Sequence, residues 1–239
     1  MSTTSRRTVR AVLACLIVSF SIPALAQQTN IQRYDVYGGF ADFETPWLNL
    51  NQDGFHTQEG YNWRPWLAVG FDFSEGSGTN SLTPRVLTPA LQQELALEIG
   101  ALKQEGAIPA NYELVVPTHA FSETFALGPQ LMLRHYRLVT LFAHPSIGTI
   151  RQRVTPHPTD PVSTAIIAQL VPSGTKVDYE GFYGFGGGLD WNASPHFAVR
   201  AQNDLVYWKL FDGLLAQGTW TNRFSVGVAY HFGGNIVGH

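Results

Sequence analysis

The residues of this sequence best suited to nucleophilic chemistry are a histidine and a serine two positions apart, in His144-Pro145-Ser146. A serine hydroxyl attacks a carbonyl carbon when a histidine removes its proton and a carboxylate orients that histidine. On an extended strand the imidazole and the hydroxyl would point to the same face. No carboxylate partner can be identified from the sequence, so we assign no catalytic residue.

Metal and cofactor chemistry have weaker support. His157 and Asp160 could act as metal ligands, but their spacing matches neither a helix nor a turn, and two ligands do not define a site. The only cysteine, Cys15, lies in an apolar segment near the N-terminus. The glycines at 184, 186 and 188 share one strand face, where they give room to large neighbours, and no strand–turn–helix arrangement is present to form a phosphate loop. We assign no metal ligand and no cofactor.

A cleaved secretory signal is predicted over residues 1–26. Three arginines within 6–10 precede the apolar stretch 11–23, and Ala-Leu-Ala at 24–26 has the small-x-small pattern of a cleavage site. The apolar stretch is too short to span a bilayer comfortably. The mature chain is therefore expected to begin at Gln27 and to be exported.

Composition narrows the class of protein. Of 15 lysines and arginines, 12 remain after removal of the signal, against 18 aspartates and glutamates, so the mature net charge is −6 and argues against a nucleic-acid partner. The chain contains 23 Gly, 15 Phe, 9 Tyr and 6 Trp, with a mean hydropathy of −0.04. No apolar run after the signal reaches the length of a membrane-spanning helix. This composition suits a membrane β-barrel, where apolar residues occupy every second position.

The strongest structural signal is a two-residue alternation, which is clearest from Arg223 to Phe232. One face of this segment is bulky and apolar, and the other is small or polar, as lipid outside and a narrow lumen inside require. Strands of this kind are predicted at 33–43, about 55–63, 66–74, 124–134, 139–148, 183–191, 197–205 and 223–232.

The predicted connections alternate in length. Tight turns near 64–65, 135–137 and 192–195 alternate with longer connections at about 45–54, 75–118, 153–178 and 209–219. Membrane barrels have short periplasmic turns and long extracellular loops. We therefore predict an all-β fold: an eight-stranded antiparallel up-and-down transmembrane β-barrel over residues 27–233, followed by a tail at 234–239.

One helix is predicted inside the second long loop, over about 85–107. Thr88 suits the N-cap, Pro89 the first helical position and Gly106 the position past the end. Its apolar face comprises Leu91, Leu95, Ile99 and Leu102. This face either packs on its own loop or the barrel rim, or binds a surface partner.

The inward positions mix both charge signs, which favours a filled lumen with paired charges over a proton or ion path. The predicted inward polar residues are Asp35, Asp72, Gln130, Arg134, Asp190, Arg200, Gln202 and Asp204, and the bulky ones include Trp66, Met132 and Phe142. Pro129 and Pro145 fall inside predicted strands, where each removes a ladder hydrogen bond, and local bulges would accommodate them.

With the strands placed, the chain resembles the outer-membrane β-barrel domain family, which includes the OmpA-like transmembrane domain. The resemblance rests on YDVYGGF at 34–40, FALGPQ at 125–130, GGGLDW at 186–191, FAVR at 197–200 and the closing strand 223–233. It implies an eight-stranded outer-membrane barrel without a shared catalytic set. Because the interior of eight strands is filled by side chains, we expect a closed barrel with a structural or surface-interaction role. The expected partners are outer-membrane lipid and the barrel-assembly machinery through the C-terminal strand; the apolar face of the 85–107 helix adds a surface partner as an alternative.

Two other functions remain as alternatives. A lipid-modifying enzyme is one, because His144 and Ser146 resemble the His-x-Ser of outer-membrane lipid A deacylases. A soluble exported barrel that holds a small ligand is the other, and it requires an apolar interior with a polar exterior.

Overall fold

The computed structural model describes residues 28–237. The predicted signal segment 1–26 lies outside the described residues. The strands are β1 (Gln32–Thr45), β2 (Leu50–Arg64), β3 (Leu67–Leu82), β4 (Val116–Leu133), β5 (Val139–Pro156), β6 (Lys176–Asn192), β7 (Phe197–Trp208) and β8 (Thr219–Asn235). The helices are α1 (Pro89–Gln104) and α2 (Pro161–Leu170), with short 3-10 turns at Pro46–Leu48 and Pro84–Val86.

The eight strands form a closed antiparallel barrel in which each strand pairs with the next and β8 pairs with β1. The predicted fold is therefore confirmed. Following paired residues around the ring from Val36 leads to Trp220. Because Asn222 pairs with Glu44, Trp220 is level with position 46, just past the end of β1 and ten residues beyond the start. Such a stagger over eight strands requires a tilt of about 40° and leaves an interior just wide enough for side chains.

The two ends of the barrel differ in their connections. The turn end carries the connections 65–66, 134–138 and 193–196, and the loop end carries 46–49, 83–115, 157–175 and 209–218. The predicted long connection at 45–54 was wrong. It is a short 3-10 turn closed by Asn49 at a φ of 49°, and both neighbouring strands extend almost to it.

This error has a physical cause in the polarity of the strands near the loop end. There Phe43 and Leu50 point inward and are buried, whereas Asp42, Asn51 and Asp53 are on the outer face. The apolar and polar faces are thus exchanged relative to the rest of the barrel. A strand that extends beyond the lipid meets water outside, so only its inner face needs to be apolar.

The two strand prolines face each other across the β4–β5 ladder. Paired residues skip from Leu127 and Ile147 to Leu131 and Ala143 without a change of register, so no bulge is present at this point. In an antiparallel ladder every second opposed pair exchanges both of its N–H bonds, and the pairings lost on either side of Pro129 and Pro145 are those expected when prolines occupy such a pair. The two missing donors therefore share a single gap, and the predicted bulges were wrong.

The two helices pack together over the loop end. Leu95 on the inward face of α1 belongs to the same buried apolar cluster as Ile166 and Ile167 of α2, here called the cap cluster. The buried members of the cap cluster are Leu87, Leu95, Leu114, Val116, Ile166, Ile167 and Val171. Helix α1 is confirmed at the predicted position, and its apolar face packs against the rest of the protein. Helix α2 was not predicted.

Two further differences concern strand ends. Trp66 lies in the β2–β3 turn and is 58% exposed, so its predicted inward orientation was wrong. At the other terminus β8 continues to Asn235, which is opposite Gln32 of β1.

Candidate functional site

Arg200 is the centre of a buried polar network in the lumen nearer the turn end. Its guanidinium binds both carboxylate oxygens of Asp190 at 2.7 and 2.9 Å and donates to Gln58 Oε1 at 2.6 Å. The Asp35 Oδ1 atom lies 3.5 Å from the Arg200 Nη2 atom. The guanidinium carbon is also 5.5 Å from the ring centre of Tyr37. A bidentate pair with further donors satisfied is the geometry that makes a buried charge tolerable.

Arg223 forms a second network nearer the loop end. Its guanidinium donates to Asp204 Oδ2 at 2.8 and 3.1 Å, to Asp72 Oδ1 at 3.2 Å and to Ser74 Oγ at 3.0 Å. All of these side chains are almost completely buried. The interior charges are therefore mutually paired, as expected for a lumen filled by its own side chains.

His144 lies beside this second network. Its Nε2 is 3.0 Å from Asp204 Oδ1, so the carboxylate that the sequence did not identify is on β7. Ser146 also points inward and is 5% exposed. No hydrogen bond joins Ser146 to His144 within the described residues. The pair is thus enclosed in the lumen, and Asp204 is already held by Arg223.

The predicted inward polar residues are confirmed as buried, with Arg134 half-buried at the turn end, where it donates to Asn62 Oδ1 at 2.7 Å. Sequence reasoning did not single out His56 and Gln58, which lie on the weakest predicted strand. His56 Nδ1 contacts Ser225 Oγ at 3.1 Å and the Gln202 amide at 3.0 Å. Gln202 in turn donates to Asp204 Oδ2 at 3.5 Å, so His56 is connected to the Arg223 network.

Side chains fill the middle of the lumen. Arg200, Arg223, His56 and Gln58 are each at most 2% exposed, so they occupy the cross-section between the two ends. A cavity of about 430 Å³ lies at the turn end beside the segment 28–32. A smaller space of about 20 Å³ lies in the lumen near the loop end. The loop end is closed by an apolar mouth cluster. Its buried members are Leu48, Leu50, Val86, Ala120, Ala126, Ile150, Phe182, Val206, Trp208, Leu210, Phe211 and Leu215.

The outer surface is an apolar belt between two groups of aromatic rings. Near the turn end Tyr34, Tyr61, Phe197, Tyr230 and Phe232 lie with ring centres 5.0–5.8 Å apart. Nearer the loop end Tyr183, Phe185, Tyr207 and Trp220 lie 5.3–6.0 Å apart. Between them the exposed side chains include Val36, Phe71, Leu127, Leu131, Ile147, Leu189, Val226 and Val228. An apolar band flanked by aromatic girdles is the exterior of a membrane-spanning barrel.

Glu59 is an exception in this belt. It is exposed on the outer face of β2, opposite Val36 and Phe71, and within residues 28–237 it forms no ion pair.

An acidic side chain on the lipid face costs less than the 2–4 kcal/mol of a cation at the midplane. We expect Glu59→Leu to raise the free energy of unfolding by about 1 kcal/mol, measured by urea titration in lipid vesicles. A matched Glu105→Leu change beyond α1 should leave it unchanged; a loss of stability in Glu59→Leu would mean that the carboxylate has a stabilising contact.

Asp160, considered above as a metal ligand, caps α2. Its Oδ1 accepts from the amides of Val162 and Ser163 at 3.0 and 2.9 Å, and the Tyr112 hydroxyl donates to it at 3.0 Å. The amide hydrogen bond from Ser163 is the main reason that the pKa of Asp160 is lowered. Burial, and then the Asp160 carboxylate, raise the pKa of Tyr112 to about 12.

This cap predicts a pH-dependent stability of α2. The pKa of Asp160 is lowered on folding, so the cap stabilises α2 above the ordinary carboxyl pKa of 3.8 and is lost as the pH falls below it. At neutral pH, Asp160→Ala should cost about 1 kcal/mol of local helix stability. Amide exchange across α2 would measure it, with Asp212→Ala as the control. Equal protection in Asp160→Ala and the unaltered protein at pH 7 would contradict the capping role.

No helix in the described part of the chain combines the length and hydropathy needed to cross a bilayer. No protein-family model matches the sequence, and no curated protein matches it.

Several solved outer-membrane proteins are similar to the chain in structure. Ail, the attachment invasion locus protein of Yersinia pestis, has a TM-score of 0.47 at 14% identity, covering 84% of this chain and 99% of Ail. Neisserial surface protein A has a TM-score of 0.49 at 9% identity, covering 83% and 96%. OprG of Pseudomonas aeruginosa has a TM-score of 0.46 at 9% identity, covering 87% and 99%. The strand order, together with an apolar outer surface and a polar, charged interior, establishes this chain as an eight-stranded up-and-down membrane barrel.

Proposed function

We propose that the protein is a closed outer-membrane barrel with a structural or surface-interaction role. The observation that carries the proposal is the apolar belt between two aromatic groups, combined with a charged, paired interior. This polarity is the opposite of what a soluble ligand-holding barrel needs. By the usual orientation of such barrels, the turn end is periplasmic and the loop end extracellular. The C-terminal strand β8 is the segment we expect the barrel-assembly machinery to engage.

The closed state is supported by the two arginine networks and the mouth cluster, which occupy the lumen in succession. The folded protein should therefore give little conductance in planar bilayers, and it should need detergent and migrate differently before and after boiling. Identical migration together with solubility in plain buffer would exclude the membrane assignment. A large, stable conductance step would show that the networks do not close the lumen.

We also propose that the barrel is not an enzyme. The His144 and Ser146 side chains are 3% and 5% exposed and face the lumen, where an acyl chain would have to pass the paired charges. His144→Gln and Ser146→Ala should therefore leave the lipid A of expressing cells unchanged. A loss of acyl chains that depends on both residues would establish the deacylase alternative instead.

The helical cap over the loop end is the surface available to a partner. Leu82 and Val116 are opposite each other, so a two-residue Asn-Gly turn can replace residues 83–115 without moving β3 or β4. We expect this variant to fold and remain heat-modifiable, because all eight strands persist. It should bind a hydrophobic dye more strongly, because Ile166 and Ile167 lose the α1 members of the cap cluster. Failure to fold would show that the loop belongs to the barrel core.

A further inference from the structure

An apolar cavity lies at the loop end between the barrel rim, the cap cluster and the mouth cluster. Its walls include Leu50, Ala120 and Val154 from the strands, Ile167 from α2 and Phe211 from the last loop. The volume of about 70 Å³ corresponds to about five waters. Apolar cavities of this kind stay dry and accept apolar guests, so the space suits an alkyl chain of five or six methylene groups.

One cation contributes to this wall. Lys176 begins β6 opposite Val154 and is half-buried, and within residues 28–237 no carboxylate lies in ion-pair distance of it. Asp178, the acidic residue nearest to it along the strand, binds the backbone amide of Phe211 instead. Lys209, which also lies at this end of the barrel, is paired with Asp212 at 3.0 Å. Lys176 is thus an unpaired ammonium at the edge of an apolar space.

Phe211 gives a second, independent observation. Its φ of 55° is in the left-handed region, which a phenylalanine adopts only when its surroundings impose it. Here the surroundings are the Asp178 carboxylate and the mouth cluster. The loop is therefore held in a strained conformation at the wall of the cavity, and strain of this kind concentrates at ligand-binding positions.

We propose that this cavity binds a medium-chain alkyl carboxylate, with the chain among the apolar walls and the carboxylate on the Lys176 ammonium. The cavity supplies the apolar contacts and Lys176 supplies the only unmatched charge among its lining residues. This goes beyond the proposed surface role and requires only that the barrel and its helical cap are folded.

The test uses the full mature protein in lipid nanodiscs, titrated with octanoate and, separately, with 1-octanol. Backbone amide shifts are recorded, and empty nanodiscs give the correction for partition into lipid. Octanoate should produce saturable shifts at Ile167 and Phe211. Lys176→Gln should weaken octanoate binding about tenfold while leaving octanol binding unchanged, because only the carboxylate loses a charged partner. Lys209→Gln is the matched control and should change neither.

Filling the cavity with Ala120→Leu should abolish the saturable shifts for both compounds, and heat-modifiability of the same sample shows whether that variant is folded. The absence of saturable shifts in the unaltered protein would overturn the cavity as a site. Equal octanoate affinity in Lys176→Gln would overturn the assignment of an anionic ligand. Neither result would affect the proposed membrane barrel, which the change in gel migration on boiling tests separately.

Discussion

Arg223→Met is expected to lower the free energy of unfolding by about 3–5 kcal/mol, because it leaves two buried carboxylates without their cation. Arg223 donates to Asp204 at 2.8 Å and to Asp72 at 3.2 Å, and all three side chains are enclosed by the barrel wall. The carboxylates cannot reach water without opening the barrel. Urea titration of the protein in lipid vesicles, followed by tryptophan fluorescence, measures the loss.

The matched control is Arg153→Met on β5, where the arginine is exposed and forms no ion pair within the described residues. That change should cost less than about 0.5 kcal/mol, as is usual for surface substitutions. Adding Asp72→Asn and Asp204→Asn to Arg223→Met should restore part of the stability, because the unpaired charges are removed. Equal stability of Arg223→Met and Arg153→Met would show that the lumen network does not hold the barrel together.

Val226→Arg is expected to cost about 2–4 kcal/mol, the usual penalty for a cation on the lipid face at the bilayer midplane. On the outer face of β8, Val226 lies midway between Trp220 and Phe232, which belong to the two aromatic groups. Its neighbours across the strands are Phe40 and Ala201, so no carboxylate is opposite it.

The control for Val226→Arg is Val177→Arg, which also faces outward but lies near the loop end of β6. The penalty should fall to about 0–1 kcal/mol there, because the depth in the bilayer decreases. Both variants are measured by the same urea titration in vesicles. A larger loss for Val177→Arg would place the membrane belt at a different height on the barrel.

Much of the architecture was predictable because it depends on local sequence. Lipid and lumen impose opposite polarities on successive residues, so strands such as 223–232 carry their orientation in a two-residue alternation. Helix α1 was predictable for a similar reason: Thr88, Pro89 and Gly106 mark its ends. Helix α2 was missed because ten residues give little periodicity, although Asp160 followed by Pro161 was a usable start signal.

The lumen contacts between non-neighbouring strands could not be predicted, because they depend on the closure of the ring. The alternation shows that Arg200 and Asp204 point inward, but it does not show which inward residues are at the same height. That is fixed by a register that climbs ten residues in one circuit. It brings Asp204 of β7 to His144 of β5, and Arg223 of β8 to Asp72 of β3. The sequence by itself determined the two faces of the barrel wall. Only the tertiary structure decided which charges meet inside it, because side chains from non-neighbouring strands approach one another only across the closed lumen.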